Sequence, residues 1–409
     1  MTRPLFIGTL ADGIPVVGER LSGRRVQCYE VRVGTGYGGD PHRIPGVAHL
    51  VEHLVLRRAQ GSPLNASTKT LEMLGARPTA TTAREFTSFA LAVPEDHAQL
   101  ALTELHRMVI RPDLSTTAID AELRIIAAER ALHRTDPQRV LSEVAEGHLF
   151  GDPLVRSGPR PTLTAAREFW TQHYRPENIA IYTSGPADDR SLGLTTSCPR
   201  PTARPDAKSE VTALPPQGIR ALHIRWSNME HRRTHLLSCF CVANQGSESR
   251  AAANVLVALL GGGFSALLVR KLRTERQLSY SPRVFYTDLG ATGLISAFAT
   301  VAASDDQAAG EIMECAPQNL ASDPLLAERV DLAKAHLRMG TLIAYDDLPR
   351  RVSALASSWE RRQQFVPSGV LKAIDRVSPE AIAELVGTLS SLAPQHIVYE
   401  EESAGPTWR

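Results

Sequence analysis

Net charge is almost absent from this 409-residue chain: 45 Lys and Arg stand against 44 Asp and Glu, a formal charge of +1. Such a balance argues against binding driven by the neutralisation of many phosphates and against long-range electrostatic steering. No apolar run reaches the roughly 18 residues of a membrane span, and the opening MTRPLFIGTLADG holds no apolar stretch of signal-peptide length. The expectation is therefore a cytoplasmic protein that binds neither nucleic acid nor membrane. Cysteine is sparse. Cys28, Cys198, Cys239, Cys241 and Cys315 are odd in number and widely scattered, which argues against a disulfide framework and fits a reducing compartment. Lysine is scarcer still, with only Lys69, Lys208, Lys271, Lys334 and Lys372. The arginine excess reads as codon bias of a GC-rich genome, not as chemistry.

What is present is enough apolar material for real cores: 43% of residues are hydrophobic, and at about 100–200 residues per domain the length suggests two or three domains. The stretch 186–217 holds six prolines in 32 residues and no apolar periodicity, so it reads as a break between two halves. The expected division is 1–190, a linker at 191–217, and 218–409. In the first half, strands are expected at 5–10 and 14–18, joined at Asp12-Gly13, and at 25–35, 77–82 and 85–93. Helices are expected at 45–59, 66–74, 95–110, 115–134 and 138–149. The order strand, helix, helix, strand, strand, helix, helix recurs about 207 residues later, with helices expected at 248–260, 265–274, 305–318 and 325–343. Such a period is far beyond the 20–50 residues of a solenoid. The predicted fold is α+β: two homologous α/β-sandwich domains, each a mainly antiparallel sheet covered by helices, related by internal duplication.

The sharpest local signal is His49-Leu50-Val51-Glu52-His53. At about 100° per residue, with His49 at zero, Glu52 lies near 300° and His53 near 40°. Val47, Leu50, Val51, Leu54 and Val55 fall between about 100° and 240°. One face is apolar, and the other carries two imidazoles and a carboxylate. Histidines at i and i+4 can both reach one Zn²⁺, and Glu52 can take a proton from water at that ion. The bland reading, an inert histidine pair on a solvated face, stands beside it. A catalytic zinc needs a third protein ligand. The predicted helix 115–134 offers Glu122 and Glu129, seven residues or nearly two turns apart and so on one face. One could ligate the metal while the other orients a histidine, or both could be solvated surface.

These residues resemble those of the pitrilysin/insulysin zinc metallopeptidases, the inverzincins with an HxxEH signature, and in particular the short two-domain branch that includes mitochondrial processing peptidase and its bacterial relatives. VGTGYGGDPHRIPGVAHLVEHLVL is similar to that family's strand, loop and zinc helix, HYRPENIAIYTSG to the strand closing its first domain, and GGGFSALLVRKLRTERQLSYS to its glycine loop and Arg…Tyr pair. The resemblance implies one zinc per chain on His49, His53 and Glu129, with Glu52 as general base and Glu122 in support. It also implies Arg273 and Tyr280 as substrate-binding and oxyanion-stabilising groups, and an edge strand near 77–82 that pairs with the peptide. Where the family has Asn-Ala on that strand this chain has Thr79-Ala80, a family glycine is Gln277, and Ser-Arg is Ser265-Ala266; these departures bear on substrate recognition.

The implied activity is zinc endopeptidase cleavage of peptides or leader sequences. Alternatives are a biosynthetic hydrolase that removes a peptidyl or aminoacyl group from a natural product, and a non-catalytic scaffold subunit. The implied assembly is a homodimer or a heterodimer with a related chain, the Arg…Tyr pair acting on the opposite chain's zinc. Two other features read plainly. Gly261-Gly262-Gly263 is followed by no Gly-Lys-Ser/Thr, so no phosphate loop is expected. His235, Cys239 and Cys241 share a strand face and read as buried core rather than as a second metal site.

Overall fold

The computed structural model describes residues 5–41, 44–57, 65–112, 114–150, 159–195, 221–228, 232–244, 246–289, 292–361 and 367–399. The first half contains β1 (Leu5–Thr9), β2 (Pro15–Arg20), β3 (Val26–Val33), α1 (Val47–Leu56), α2 (Asn65–Met73), β4 (Thr79–Thr82), β5 (Thr87–Pro94), α3 (Ala98–Ile110), α4 (Thr116–His133), α5 (Pro137–Phe150), α6 (Leu163–His173) and β6 (Ile179–Gly185). The second contains β7 (Ala221–Asn228), β8 (Arg233–Ala243), α7 (Ser247–Gly261), β9 (Arg283–Leu289), β10 (Thr292–Ala302), α8 (Asp306–Glu314), α9 (Ala316–Ala321), α10 (Leu326–Asp346), α11 (Leu348–Glu360), α12 (Pro367–Arg376), α13 (Pro379–Ser390) and β11 (Pro394–Tyr399).

There are two sheets, β1-β2-β6-β3-β5-β4 and β11-β7-β8-β10-β9. All pairings are antiparallel except β2 with β6 and β7 with β11. The Asp12-Gly13 turn forms as its residues suggest: Gly13 has φ +88°, and the Leu10 N–H donates to the Ile14 carbonyl at 3.0 Å. The predicted helix 305–318 is divided at Cys315, because Pro317 has no N–H to continue the ladder. The predicted helix 265–274 is instead a π-helical turn over Val269–Glu275.

The duplication holds for the helices and the central strands, but the outer strands are exchanged. In the first sheet the late strand β6 sits inside, next to β3, and β2 lies beyond it; in the second the early strand β7 sits inside, next to β8, and β11 lies beyond. The helices that cover the far faces are exchanged as well. Val17, Cys28 and Tyr182 of the first sheet pack on Leu348, Val352, Leu355 and Ala356 of α11, from the second half. Leu222, Ile224, Cys239 and Cys241 of the second sheet pack on Leu141, Ala145 and Leu149 of α5, from the first. Each sheet is thus buried on both faces, which explains why β3 (VQCYEVRV) is buried at every position but its first.

Ion pairs lock the α11 contact. Buried Arg32 donates to Glu360 at 2.9 Å and to Ser353 Oγ at 3.1 Å, and Arg351 bonds Glu19 at 2.6 and 2.7 Å. The start of the proline-rich stretch is not free linker: Ala187, Leu192 and Leu194 are buried, and Thr195 bridges to Thr9. Folded chain therefore runs beyond 190, and the remainder of the expected linker, from 196, lies outside the described residues. No helix among the described residues is long and apolar enough to cross a membrane.

Candidate active site

Helix α1 begins at Gly46, whose φ of +85° favours glycine; a Cβ there would also lie 2.3 Å from Arg130 Nη2. Asp40 accepts hydrogen bonds from the Gly46 and Ala48 N–H groups at 2.6 and 2.7 Å. Its carboxylate satisfies donors that a helix start leaves open and matches the positive end of the dipole. The apolar stripe Val47, Leu50, Val51, Leu54 and Val55 enters the first core as its periodicity predicts. This orients His49, Glu52 and His53 away from the core centre, toward α4 and β4.

Across from α1, α4 is capped by Ser115, which accepts from the Ala118 N–H. It presents Glu122 and Glu129 on one face. Glu129 Oε2 lies 3.3 Å from His53 Nε2 and 3.7 Å from His49 Nε2. One ligand atom from each of His49, His53 and Glu129 lies within 4.8 Å of the others, the one such group among the described residues. Glu122, at 8% exposure, turns Oε2 to His53 Nδ1 at 3.1 Å and Oε1 to Arg57 Nη1 at 3.6 Å. The choice between the two glutamates that periodicity left open is made by height along the helix: Glu129 meets both Nε2 atoms, while Glu122 reaches the far nitrogen of one ring.

Burial, then the neighbouring His53, pull the His49 imidazole down to about 4. For His53 burial also lowers the proton affinity, but the bond to Glu122 and the charges of Glu52, Glu122 and Glu129 outweigh it, and the net shift is upward. Glu52, only 7% exposed, is pushed up by burial, while Thr82 acts the other way by hydrogen bonding to it. Strand β4 packs against α1 and brings Thr82 to it.

Two imidazoles and a carboxylate, with a buried acid–base group beside them, suit Zn²⁺ in type and number. The Glu122–His53 bond fixes the ring with Nε2 toward Glu129 Oε2, the orientation in which His53 would serve as a metal ligand.

Thr79 and Ala80 lie on β4, the last strand of the first sheet, with β5 on one side only. Arg273 and Tyr280 lie together in the second half: the guanidinium is 4.8 Å from the Tyr280 ring and 5.9 Å from that of Phe264, and both rings are more than 80% exposed. Among the described residues, no hydrogen bond, ion pair or ring contact joins this pair to His49, His53 or Glu129. Gln277, between them, has φ +56°, so the position where the resemblance noted a glycine is one whose backbone favours it.

Sequence reasoning missed four neighbours: Asp40, Arg57, Thr82 and His133, the last 3.4 Å from Glu129 Oε1. His133 was detectable as the i+4 neighbour of Glu129 on α4. Thr82 depends on the approach of a separate strand and left no local signal. The expected core reading of His235 and Cys239 agrees with their bonds to Thr300 and Ser296.

Residues 19–157 match the family described as insulinase (peptidase family M16), and residues 162–337 match the M16 inactive domain. The chain belongs to the M16 family. It is 24% identical over 396 residues to an uncharacterized zinc protease of Mycobacterium leprae, covering 93% of this chain and 88% of that one. Over 195 residues it is 25% identical to the beta subunit of mitochondrial-processing peptidase of Dictyostelium discoideum, covering 46% and 41%. In fold it is similar to a protease from Helicobacter pylori, with TM-score 0.77 at 16% identity over 94% of this chain and 96% of that one.

Proposed function

We propose that the chain is a zinc-dependent peptidase that hydrolyses an extended peptide at the site formed by α1, α4 and β4. The carrying observation is the convergence of Glu129 Oε2 on His53 Nε2 at 3.3 Å and His49 Nε2 at 3.7 Å, from two helices that are far apart in sequence. His49, His53 and Glu129 would hold Zn²⁺, which when bound supplies a Lewis acid that activates water and polarises the scissile carbonyl.

Glu52 accepts the water proton and delivers it to the leaving amine. Burial, which raises its proton affinity, suits a group that must carry a proton and give it up again. Glu122 keeps the His53 ring in place. The peptide adds as a strand to the open edge of β4 at Thr79 and Ala80, where backbone bonds provide affinity with little demand on side-chain identity. Tyr280 donates to the developing oxyanion, and Arg273 binds a substrate carbonyl or carboxylate.

The experiment is cleavage of a peptide library by the zinc-loaded protein, by Glu52→Gln, and after chelation. Cleavage that requires both zinc and Glu52 supports the reading. A library left intact by zinc-loaded wild type, or cut equally by Glu52→Gln, refutes it.

A further inference from the structure

Strand β4 does more than border the site. The Ala83 N–H donates to the Phe86 carbonyl at 2.9 Å, closing the hairpin to β5, and the register continues as Thr82 with Thr87, Thr81 with Ser88 and Ala80 with Phe89. Backbone groups in an antiparallel strand alternate in direction. Since the Ala83 N–H points to β5, so does that of Thr81, while both backbone groups of Ala80 and the carbonyl of Thr82 point off the free edge; the Ala83 carbonyl accepts from the Tyr37 N–H at 2.9 Å. A peptide added there meets Ala80 and the carbonyl of Thr82. Thr82 is committed to Glu52 through two donors: its hydroxyl bonds Oε2, and its backbone N–H also bonds the carboxylate. No side-chain hydrogen bond or ion pair from another residue holds Glu52 among the described residues, so its orientation rests on Thr82.

We propose that Thr82 is a positioning residue that ties the peptide-accepting edge strand to the Glu52 carboxylate. The proposal rests on the peptidase reading for its kinetic consequence, but not for its geometry. A buried carboxylate held by the hydroxyl and the N–H of one strand residue has one preferred orientation; with the N–H alone it can pivot, and the ordering must be supplied at each turnover. Because both donors are carried by the strand that the substrate pairs with, a peptide that steadies β4 steadies Glu52 in the same act. Catalysis would then favour peptides long enough to pair along the edge over short ones that merely reach the metal.

The test compares Thr82→Val, which keeps the β-branched shape and the backbone N–H but removes the hydroxyl donor, with Thr82→Ser, which keeps both donors. Thr82→Val is expected to lower kcat by about 10- to 100-fold, the range for loss of a group supporting a metal site. KM for a long peptide and zinc affinity should stay within about threefold of wild type, and Thr82→Ser should recover most of kcat. A Thr82→Val enzyme with unchanged kcat, a loss confined to KM, or Thr82→Ser as impaired as Thr82→Val would each overturn the proposal. A second arm needs no substrate: crystal structures of the metal-free variants should show Glu52 turned from its place in Thr82→Val and retained in Thr82→Ser. An unmoved carboxylate in Thr82→Val overturns it too. If zinc-loaded wild type cuts no peptide, the peptidase reading fails, and this arm still decides whether Thr82 positions Glu52.

Discussion

Replacing Glu122 by glutamine tests whether the site is built for metal or merely rich in polar groups. Glu122 holds His53 Nδ1 at 3.1 Å with one oxygen and faces Arg57 at 3.6 Å with the other. Glutamine keeps the shape and an acceptor but removes the charge that makes the imidazole a stronger base. Loss of such a partner typically weakens metal affinity 10- to 100-fold, or about 1.4–2.7 kcal/mol at 1.4 kcal/mol per factor of ten. Alanine is the poorer probe. Among the described residues Arg57 Nε already has no hydrogen-bond partner, and stripping the carboxylate takes the partner of His53 Nδ1 as well, adding about 1–3 kcal/mol of metal-free destabilisation. The assay is competition for zinc against a chromophoric chelator at pH 7.5, with thermal melts of the metal-free proteins alongside. Asp120→Asn is the control: it lies on the same helix in an exposed pair with Arg160, and such pairs contribute little. Wild-type zinc affinity in Glu122→Gln, or an equal loss in Asp120→Asn, would refute the reasoning.

Three further outcomes are expected. Mixing a Glu52→Gln chain with a Tyr280→Phe chain should restore cleavage if each site draws on two chains; mixed dimers shown to form without rescue would assign Tyr280 to its own chain's site or to none. Leu355 of α11 is fully buried against the first sheet, so Leu355→Ala should cost about 2–5 kcal/mol in urea unfolding while zinc affinity holds; a neutral result would mean that α11 does not cover that sheet. His223 is held by burial, and then by the charge of His396, down to about 4. The unfolded chain therefore takes up a proton near the ordinary histidine value that the folded chain refuses. Stability linked to this group is present above about pH 6.5 and falls as pH drops toward about 4. His223→Gln should make the loss between pH 7 and pH 5 shallower in urea titrations of metal-free protein; an unchanged slope would remove His223 from the cause.

Much of the local structure was legible. The stripe on α1 separates core from polar face without outside information, because helical period alone decides which side chains share a side. The seven-residue spacing of Glu122 and Glu129 put both on one face for the same reason. The π-helical turn and the break at Cys315 were less legible: the first is a local adjustment with no residue signature, and the second needed weight on Pro317 that the apolar pattern obscured. The burial of Glu52 was not legible at all, since an angle on a helix says where a side chain points, not what lies there.

The sequence by itself determined the face of each helix, the two-fold repeat, and the residue types able to bind a divalent ion, because these follow from periodicity and donor chemistry. Tertiary structure decided the rest: that Glu129 meets both imidazoles while Glu122 stands behind one, that Thr82 reaches Glu52, and that α5 and α11 each cover the other half's sheet. An apolar stripe demands burial but names no partner, so neither exchange leaves a trace in the pattern of either helix. Only the packed chain, where distant segments compete for the same faces, selects one pairing.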